Sequence, residues 1–222
     1  MNRRTSRKAD VAPRAMMATS HPLAVQAGLD VMKSGGNAIE AAIAATAVLG
    51  VVEPMSTGIG GDLFALVWHE ESGQLYALNA SGPMGSGASI EKIHSQGNSQ
   101  MPTDGILSVT VPGTTRGWAA LLGRFGTKSL SELLEPAIGY AGDGFPVSKI
   151  VASRWRQHAD RLQFDEDASK TFMPRGTTPA FGEIFLNPGL AHSLKLIANH
   201  GVDAYYEGRI ADKIIAKSDE LG

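Results

Sequence analysis

The sequence predicts a layered α+β fold, in which two apolar helices come first, a strand hairpin follows, and the second half is mainly helical. Residues 38–50 are rich in alanine and apolar on nearly every face, which is typical of a helix buried in a core. Two strand-like runs flank a turn at residues 71–73, and helical periodicity dominates after residue 113. With 222 residues, 43% of them hydrophobic, the chain is long enough to bury a sizeable core.

Composition narrows the classes of function. The chain has no cysteine, which excludes disulfides, a thiol nucleophile and a cysteine-ligated metal centre from it. Its formal net charge of −2 lacks the basic excess of a general nucleic-acid binder. The longest apolar run, residues 41–52, is shorter than the roughly 20 residues that a membrane-spanning helix needs. We therefore expect neither nucleic acid nor a membrane as a partner.

The first residues are basic but lack the apolar stretch of a signal peptide. We expect residues 1–14 to form a flexible basic leader, and residues 15–222 to belong to a single domain that is mainly helical from about residue 114. A cytoplasmic location follows, and a periplasmic or secreted location is the alternative if the natural start of the protein differs.

The first half of the chain is predicted as short, well-punctuated elements. Apolar residues 16–19 predict a strand, and Ser20 is expected to cap a helix over residues 22–33, which the glycines at 35 and 36 end. Asn37 is expected to cap the buried helix 38–50. Further strands are predicted by apolar or alternating runs at 63–68, 74–79 and 107–111.

Loops and helices fill the rest. Glycine and proline predict a loop over 81–89, and the polar stretch 91–105 is expected to be mobile. Residues 163–188 are predicted as a long connection whose acidic cluster, 165–167, lies in a solvated loop. Helices are predicted from apolar periodicity at 114–125, 129–142, 147–159, 189–200 and 209–218.

Three groups of residues invite a chemical interpretation. Residues 58–61 (Gly-Ile-Gly-Gly) do not follow a strand or match a nucleotide-binding pattern, so we predict a tight turn that lets backbones pack closely. The six histidines form no metal-binding spacing. Two Gly-Thr-Thr triplets, at 113–115 and 176–178, are poor candidates for an N-terminal nucleophile, and Thr114 is expected to cap the helix that follows it.

Eight segments, in order along the chain, resemble the large subunit of the γ-glutamyltranspeptidase (glutathione hydrolase) family. They include Thr-Gly-Ile-Gly-Gly-Asp and Val-Thr-Val-Pro-Gly, and they lie at 17–24, 35–42, 52–54, 57–62, 109–113, 135–138, 144–147 and 204–208. The resemblance implies the αββα sandwich of an N-terminal-nucleophile hydrolase, of which this chain would form part. It also implies a proenzyme that cuts itself before a threonine, which then opens the small subunit and attacks the amide substrate.

The chain departs from the family pattern in two respects. It contains no Gly-Thr-Thr-His, and it ends at Gly222, before a large subunit of the family would be complete. We therefore expect a large-subunit fragment with no catalytic residue of its own, inactive without the small subunit of the same precursor. We expect no cofactor and no metal.

A further departure concerns the substrate. In γ-glutamyl enzymes an arginine follows the second strand of the hairpin and binds the substrate carboxylate, whereas here Ser81 and Gly82 stand in that place, and no Lys or Arg lies between Lys33 and Lys92. An arginine suits a carboxylate because it pairs with it bidentately. The resemblance therefore implies that Ser81 and Gly82 line the substrate site, and it favours the amidohydrolase and acylase branch, with its oxamate-amidohydrolase-like and cephalosporin-acylase-like proteins.

Two alternatives stay open at this stage. One is a true γ-glutamyltransferase that uses another arginine, such as Arg116, for the substrate carboxylate. The other belongs to a different class, a catalytically inactive homologue that serves as a scaffold or binding subunit. If the protein is an enzyme of either kind, amidohydrolase or acylase on the one hand and γ-glutamyltransferase on the other, its small-molecule substrate is an amide or a γ-glutamyl compound.

Overall fold

Two consecutive helices, α1 (Pro22–Lys33) and α2 (Ala38–Val52), pack against each other at the start of the fold. They belong to a computed structural model that describes residues 10–222. Helix α1 begins as predicted, but its cap is His21, whose Nδ1 accepts the Leu23 N–H at 3.3 Å. The prediction of Ser20 as the cap was wrong, because its hydroxyl instead donates to Glu53 Oε2 at 2.9 Å.

Helix α2 forms the centre of the core, as its alanine-rich sequence predicts. Asn37 caps it in a capping box, in which the Asn37 side chain accepts the Glu40 N–H and the Glu40 carboxylate accepts the Asn37 N–H. The small side chains along α2 let neighbouring helices approach closely. The helix is also covered by residues from later parts of the chain, among them Trp118, Leu133 and Leu134.

The predicted hairpin is confirmed, with β1 (Leu63–His69) antiparallel to β2 (Gln74–Ala80) and Gly73 in the turn at φ +60°. Its two faces differ in environment. One face is half-buried against the core. The other exposes large apolar side chains, with fractional exposures of 66% for Phe64, 75% for Leu66, 59% for Trp68 and 63% for Leu75.

The segment after the hairpin differs from the prediction in two places. The stretch 91–105, expected to be mobile, includes a short helix, α3 (Ile90–Ser95), which Ser89 caps through the Lys92 N–H. The predicted strand 107–111 was wrong. Residues Ile106–Ser108 form a 3₁₀ turn, and only Thr110 forms a bridge, to Met84.

Helix α4 (Thr114–Phe125) then packs on the half-buried face of the hairpin. Gly117 makes this contact possible, because a Cβ there would lie within 3.1 Å of side-chain atoms of both Leu63 and Ala80. The predicted range of this helix, 114–125, is confirmed, but the prediction of Thr114 as its cap was wrong. The cap is Gly113, and Thr114 is the first helical residue.

The remaining elements complete a mainly helical layer. In chain order they are α5 (Leu130–Asp143), β3 (Phe145–Pro146), α6 (Lys149–Gln157), α7 (Ala159–Gln163), α8 (Glu166–Phe172), β4 (Ile184–Phe185), α9 (Pro188–His200), α10 (Asp203–Tyr206) and α11 (Arg209–Leu221). Helix α5 packs against both α2 and α9, and β3 pairs with β4 in a second two-stranded sheet.

The long connection predicted over 163–188 was wrong, since it contains α8 and β4. Its acidic cluster is not a solvated loop. Asp165 caps α8 by accepting the Ala168 N–H at 2.7 Å, and Lys217 of α11 lies 2.9 Å from an Asp167 carboxylate oxygen. Neighbouring carboxylates, Asp167 first and Glu220 next, raise the pKa of Lys217 above its ordinary value.

The described residues therefore form an α+β fold, as the sequence predicts, with two two-stranded sheets among the helices. The predicted strand 16–19 was wrong, because this extended stretch joins no sheet within residues 10–222. Most of the predicted leader, residues 1–9, lies outside the described residues, and residues 10–14 are exposed. No helix in the described part of the chain is long and apolar enough to span a membrane.

Candidate functional site

Three segments that are distant in sequence meet at the end of the hairpin. They are the glycine loop (residues 58–62), the Ser81–Gly82 pair just after β2, and the Gly113–Thr114 pair at the start of α4. Gly61 is the point of contact, since its carbonyl oxygen accepts the N–H groups of Gly113 and Thr114 at 2.9 and 3.0 Å. The Thr114 hydroxyl also donates to the Gly61 carbonyl, at 2.8 Å. We call this meeting point the junction.

Two glycines of the junction, Gly82 and Gly113, are required because backbones pass too closely there for any side chain. A Cβ on Gly82 would lie 1.5 Å from the Val111 carbonyl oxygen, and one on Gly113 would lie 1.9 Å from the Ala80 carbonyl oxygen. Gly61 closes the predicted turn by donating its N–H to the Gly58 carbonyl at 3.3 Å. The prediction of a tight turn is therefore confirmed, but close packing does not explain its glycines, since a Cβ on Gly58 or Gly60 would meet nothing within 4 Å.

Asp62 holds the Ser81–Gly82 pair in place. Its Oδ2 accepts the Ser81 hydroxyl at 3.2 Å, and its Oδ1 accepts the Gly82 N–H at 3.3 Å. The Ser81 N–H donates to Asn79 Oδ1 at 2.9 Å, which fixes the turn out of β2. Asp62 is the one charged residue in the three segments of the junction. Sequence reasoning named Ser81 and Gly82 and missed Asp62, although it ends the Thr-Gly-Ile-Gly-Gly-Asp segment.

A cavity of about 170 Å³ lies beside the junction, between the glycine loop and helices α2, α4 and α9. Thr46, Asp62 and Thr114 contribute polar groups to its wall, and Trp118 contributes its ring. The Trp118 indole N–H is buried without a hydrogen-bond partner among the described residues. A second, larger groove of about 670 Å³ lies between residues 85–88, residues 106–112 and helix α11.

Tyr206 of α10 supports the junction from behind. Its hydroxyl donates to the Pro112 carbonyl at 2.7 Å and accepts from the Thr115 hydroxyl at 2.9 Å and the Arg116 N–H at 3.3 Å. One side chain thus fixes the residues on both sides of Gly113 and Thr114. Its neighbour Tyr205 is buried, and this burial, together with Tyr206, raises the pKa of Tyr205 to about 12.

Arg116, the alternative carboxylate ligand, already has partners. Its guanidinium lies 3.1 Å from Asp203 Oδ1, and its Cζ lies 4.6 Å from the centre of the Tyr206 ring. Both partners belong to α10. The ion pair is exposed, and exposed pairs of this kind stabilise proteins only weakly.

The other candidate residues have structural surroundings. Thr114 is buried and bonded to the glycine loop, and Thr115 is buried and bonded to Tyr206. Burial lowers the pKa of His21, although the nearby Glu53 carboxylate acts in the opposite direction. Within residues 10–222 no three His, Asp or Glu side chains are grouped closely enough to hold a metal ion.

Solved structures with the same fold include a gamma-glutamyltranspeptidase and a cephalosporin acylase. Helicobacter pylori gamma-glutamyltranspeptidase superposes with a TM-score of 0.87 at 32% identity, over 93% of this chain and 60% of that chain. Cephalosporin acylase from Bacillus halodurans superposes with a TM-score of 0.84 at 38% identity, over 94% of this chain and 42% of that chain. The fold is therefore that of the N-terminal-nucleophile hydrolases.

Sequence comparison leads to the same class and narrows it to a family. The pattern of the Gamma-glutamyltranspeptidase family matches residues 24–222. The Glutathione hydrolase-like YwrD proenzyme of Bacillus subtilis is 40% identical over 216 residues, which are 97% of this chain and 41% of that protein. The chain belongs to the γ-glutamyltranspeptidase family, and it spans about two-fifths of the length of this relative.

Proposed function

We propose that this chain is the large-subunit part of a self-cleaving enzyme that hydrolyses amides or transfers their acyl group. The observation that carries the proposal is the junction, at which the glycine loop and the Gly113–Thr114 pair meet through backbone hydrogen bonds and Asp62 of the loop holds the Ser81–Gly82 pair. In this proposal Ser81 and Gly82 form part of the wall of the acyl site. The names of the relatives support the proposal, since the Bacillus subtilis protein is called a proenzyme.

The outer face of the hairpin supports a partner from the same precursor. Phe64, Leu66, Trp68 and Leu75 form a contiguous apolar surface, with Leu75 directly opposite Trp68 across the strands. Apolar patches of this kind mark surfaces that pack against another protein segment. The small subunit would cover them, and the two chains would form a heterodimer.

The proposed chemistry depends on a threonine of that small subunit. Its hydroxyl oxygen attacks the amide carbonyl carbon, and the hydroxyl proton passes through the free α-amino group of the threonine to the departing amine. Water, or an acceptor amine, then attacks the ester and releases the acyl group, which regenerates the threonine hydroxyl. The present chain orients the acyl group.

Expression of the full precursor tests the proposal. We expect intact-mass measurement to show two chains whose masses sum to that of the precursor plus one water molecule, with Thr at the new N-terminus. An uncut precursor, or a new N-terminus other than Thr, Ser or Cys, would contradict the mechanism. An uncut precursor that still folds would instead favour the inactive scaffold subunit.

The name of the Bacillus subtilis relative, which is called glutathione hydrolase-like, favours a second candidate, a true γ-glutamyltransferase in which Arg116 binds the substrate carboxylate. Hydrolysis of γ-glutamyl p-nitroanilide and of simple acyl p-nitroanilides distinguishes the two. A strong γ-glutamyl preference that is lost in Arg116→Ala would favour the second candidate. Arg124→Ala is the matched control, because Arg124 lies on the same helix and stacks on Tyr76.

A further inference from the structure

The Ser81–Gly82 pair offers three hydrogen-bond donors, and all are already in use, the Ser81 N–H by Asn79 Oδ1. The Ser81 hydroxyl and the Gly82 N–H each donate to an oxygen of Asp62, at 3.2 and 3.3 Å. A substrate carboxylate that approached this pair would find its donors occupied and a negative charge next to them. No Lys or Arg occurs between Lys33 and Lys92 to offset that charge from the same stretch of sequence.

We propose that Asp62 determines the charge of the acyl group that the site accepts: an uncharged or cationic end is accepted against Ser81 and Gly82, and an anionic end is rejected. This inference rests on the proposed function, because it assumes that the pair lines the acyl site. It adds a substrate class to that function, amides whose acyl group carries no negative charge at the end facing this pair.

The geometry separates this role from a merely structural one. The carbonyl of Pro83, the residue after Gly82, accepts the Val111 N–H at 2.9 Å, and the Ser81 N–H is bonded to Asn79. The backbone course of the pair therefore does not depend on Asp62 alone. An Asn at position 62 would still accept the Gly82 N–H, and its amide could donate to the Ser81 oxygen. Asp62→Asn thus removes the charge while the loop keeps its bonds.

The size of the effect follows from electrostatics. Two like charges about 4 Å apart change an affinity by about fivefold at the dielectric of bulk water, and by more where solvent is restricted. Asp62 is exposed in this chain, so the aqueous value applies to the chain by itself. Cover by a second subunit would remove solvent and increase the effect.

The test uses the full-length, processed protein and two substrates of equal shape. Glutaryl p-nitroanilide ends in a carboxylate, and its carboxamide analogue ends in an uncharged group. We expect the wild type to hydrolyse the carboxamide with a kcat/KM at least about fivefold higher. Asp62→Asn should lower this ratio at least about fivefold, chiefly by improving the anionic substrate. Asp160→Asn, which removes the same charge from an exposed surface position, should leave the ratio unchanged.

Two outcomes overturn the inference while leaving the proposed function intact: the wild type hydrolyses both substrates equally or prefers the carboxylate, or Asp62→Asn leaves the ratio unchanged. Ligand-observed NMR with glutaramide and glutaramate separates the two proposals if the protein hydrolyses neither anilide. Preferential binding of the uncharged glutaramide, lost in Asp62→Asn, would then support the role of Asp62 and contradict the hydrolase. Equal binding, or no binding of either compound, would overturn the inference.

Discussion

Replacement of Glu40 by Gln should destabilise the fold strongly, because this buried carboxylate serves two elements at once. Its Oε2 accepts the Asn37 N–H at 2.8 Å, and its Oε1 accepts the N–H of Thr127, the Thr127 hydroxyl at 3.0 Å and the Lys128 N–H at 2.6 Å. Glu40 thus joins the start of α2 to the turn before α5. A glutamine has one acceptor oxygen, so at least one of these donors must face an NH₂ group.

The magnitude follows from the donors left without a partner. A buried donor without an acceptor costs about 1–3 kcal/mol, and bonds to a charged acceptor are stronger than those to a neutral one. We expect Glu40→Gln to lower the free energy of unfolding by about 2–4 kcal/mol. Glu132 is the matched control, since it occupies the same capping-box position in α5 but is exposed. Glu132→Gln should cost only a small fraction of that amount.

Urea denaturation of the full-length protein, followed by circular dichroism, measures both variants. Burial alone would raise the pKa of Glu40, but the backbone donors, Asn37 first, hold the pKa below its ordinary value. A lowered pKa stabilises the folded state above the ordinary glutamate pKa of about 4.3, and the contribution is lost as the pH falls through the folded value. The difference between wild type and Glu40→Gln should therefore shrink below about pH 4. Equal costs for the two variants at pH 7 would refute this reasoning.

Two further substitutions test the junction. Gly82→Ala should lower the free energy of unfolding by about 1–3 kcal/mol, since its Cβ would overlap the Val111 carbonyl. Gly85→Ala is the control and should be tolerated, because its Cβ would meet nothing within 4 Å. Thermal denaturation of both variants compares the two effects. Tyr206→Phe should cost about 1–3 kcal/mol in urea denaturation, because the Pro112 carbonyl and the Thr115 hydroxyl lose their partner. Tyr205→Phe is its control, and an equal cost for both would contradict the role given to the Tyr206 hydroxyl.

The long elements could be predicted from sequence because periodicity and caps coincide in them. Helix α1 matches its predicted range, and the predicted hairpin and α4 match to within a residue. The short helices α3 and α8 were missed, since six or seven polar residues carry too little periodicity to reveal a helix. The false strand at 107–111 has the right alternation, but only Thr110 finds a bridge partner, so no ladder forms.

The site could be predicted only in part. The sequence, with the family resemblance, indicates Ser81 and Gly82 but not what touches them. The Asp62 bonds join residues 19 and 20 positions apart in the chain. The Tyr206 bonds join residues 90 to 94 positions apart, which only the fold brings together. Contacts of this kind depend on how α4 packs on the hairpin, which no local pattern encodes.

The central claim is that the acyl group lies against the Ser81–Gly82 pair, and a crystal structure of the full-length protein trapped as its acyl-enzyme tests it most directly. We expect the acyl chain to contact Ser81 and Gly82, with an uncharged end beside Asp62. An acyl chain bound away from this pair, or a carboxylate end seated against Asp62, would contradict it.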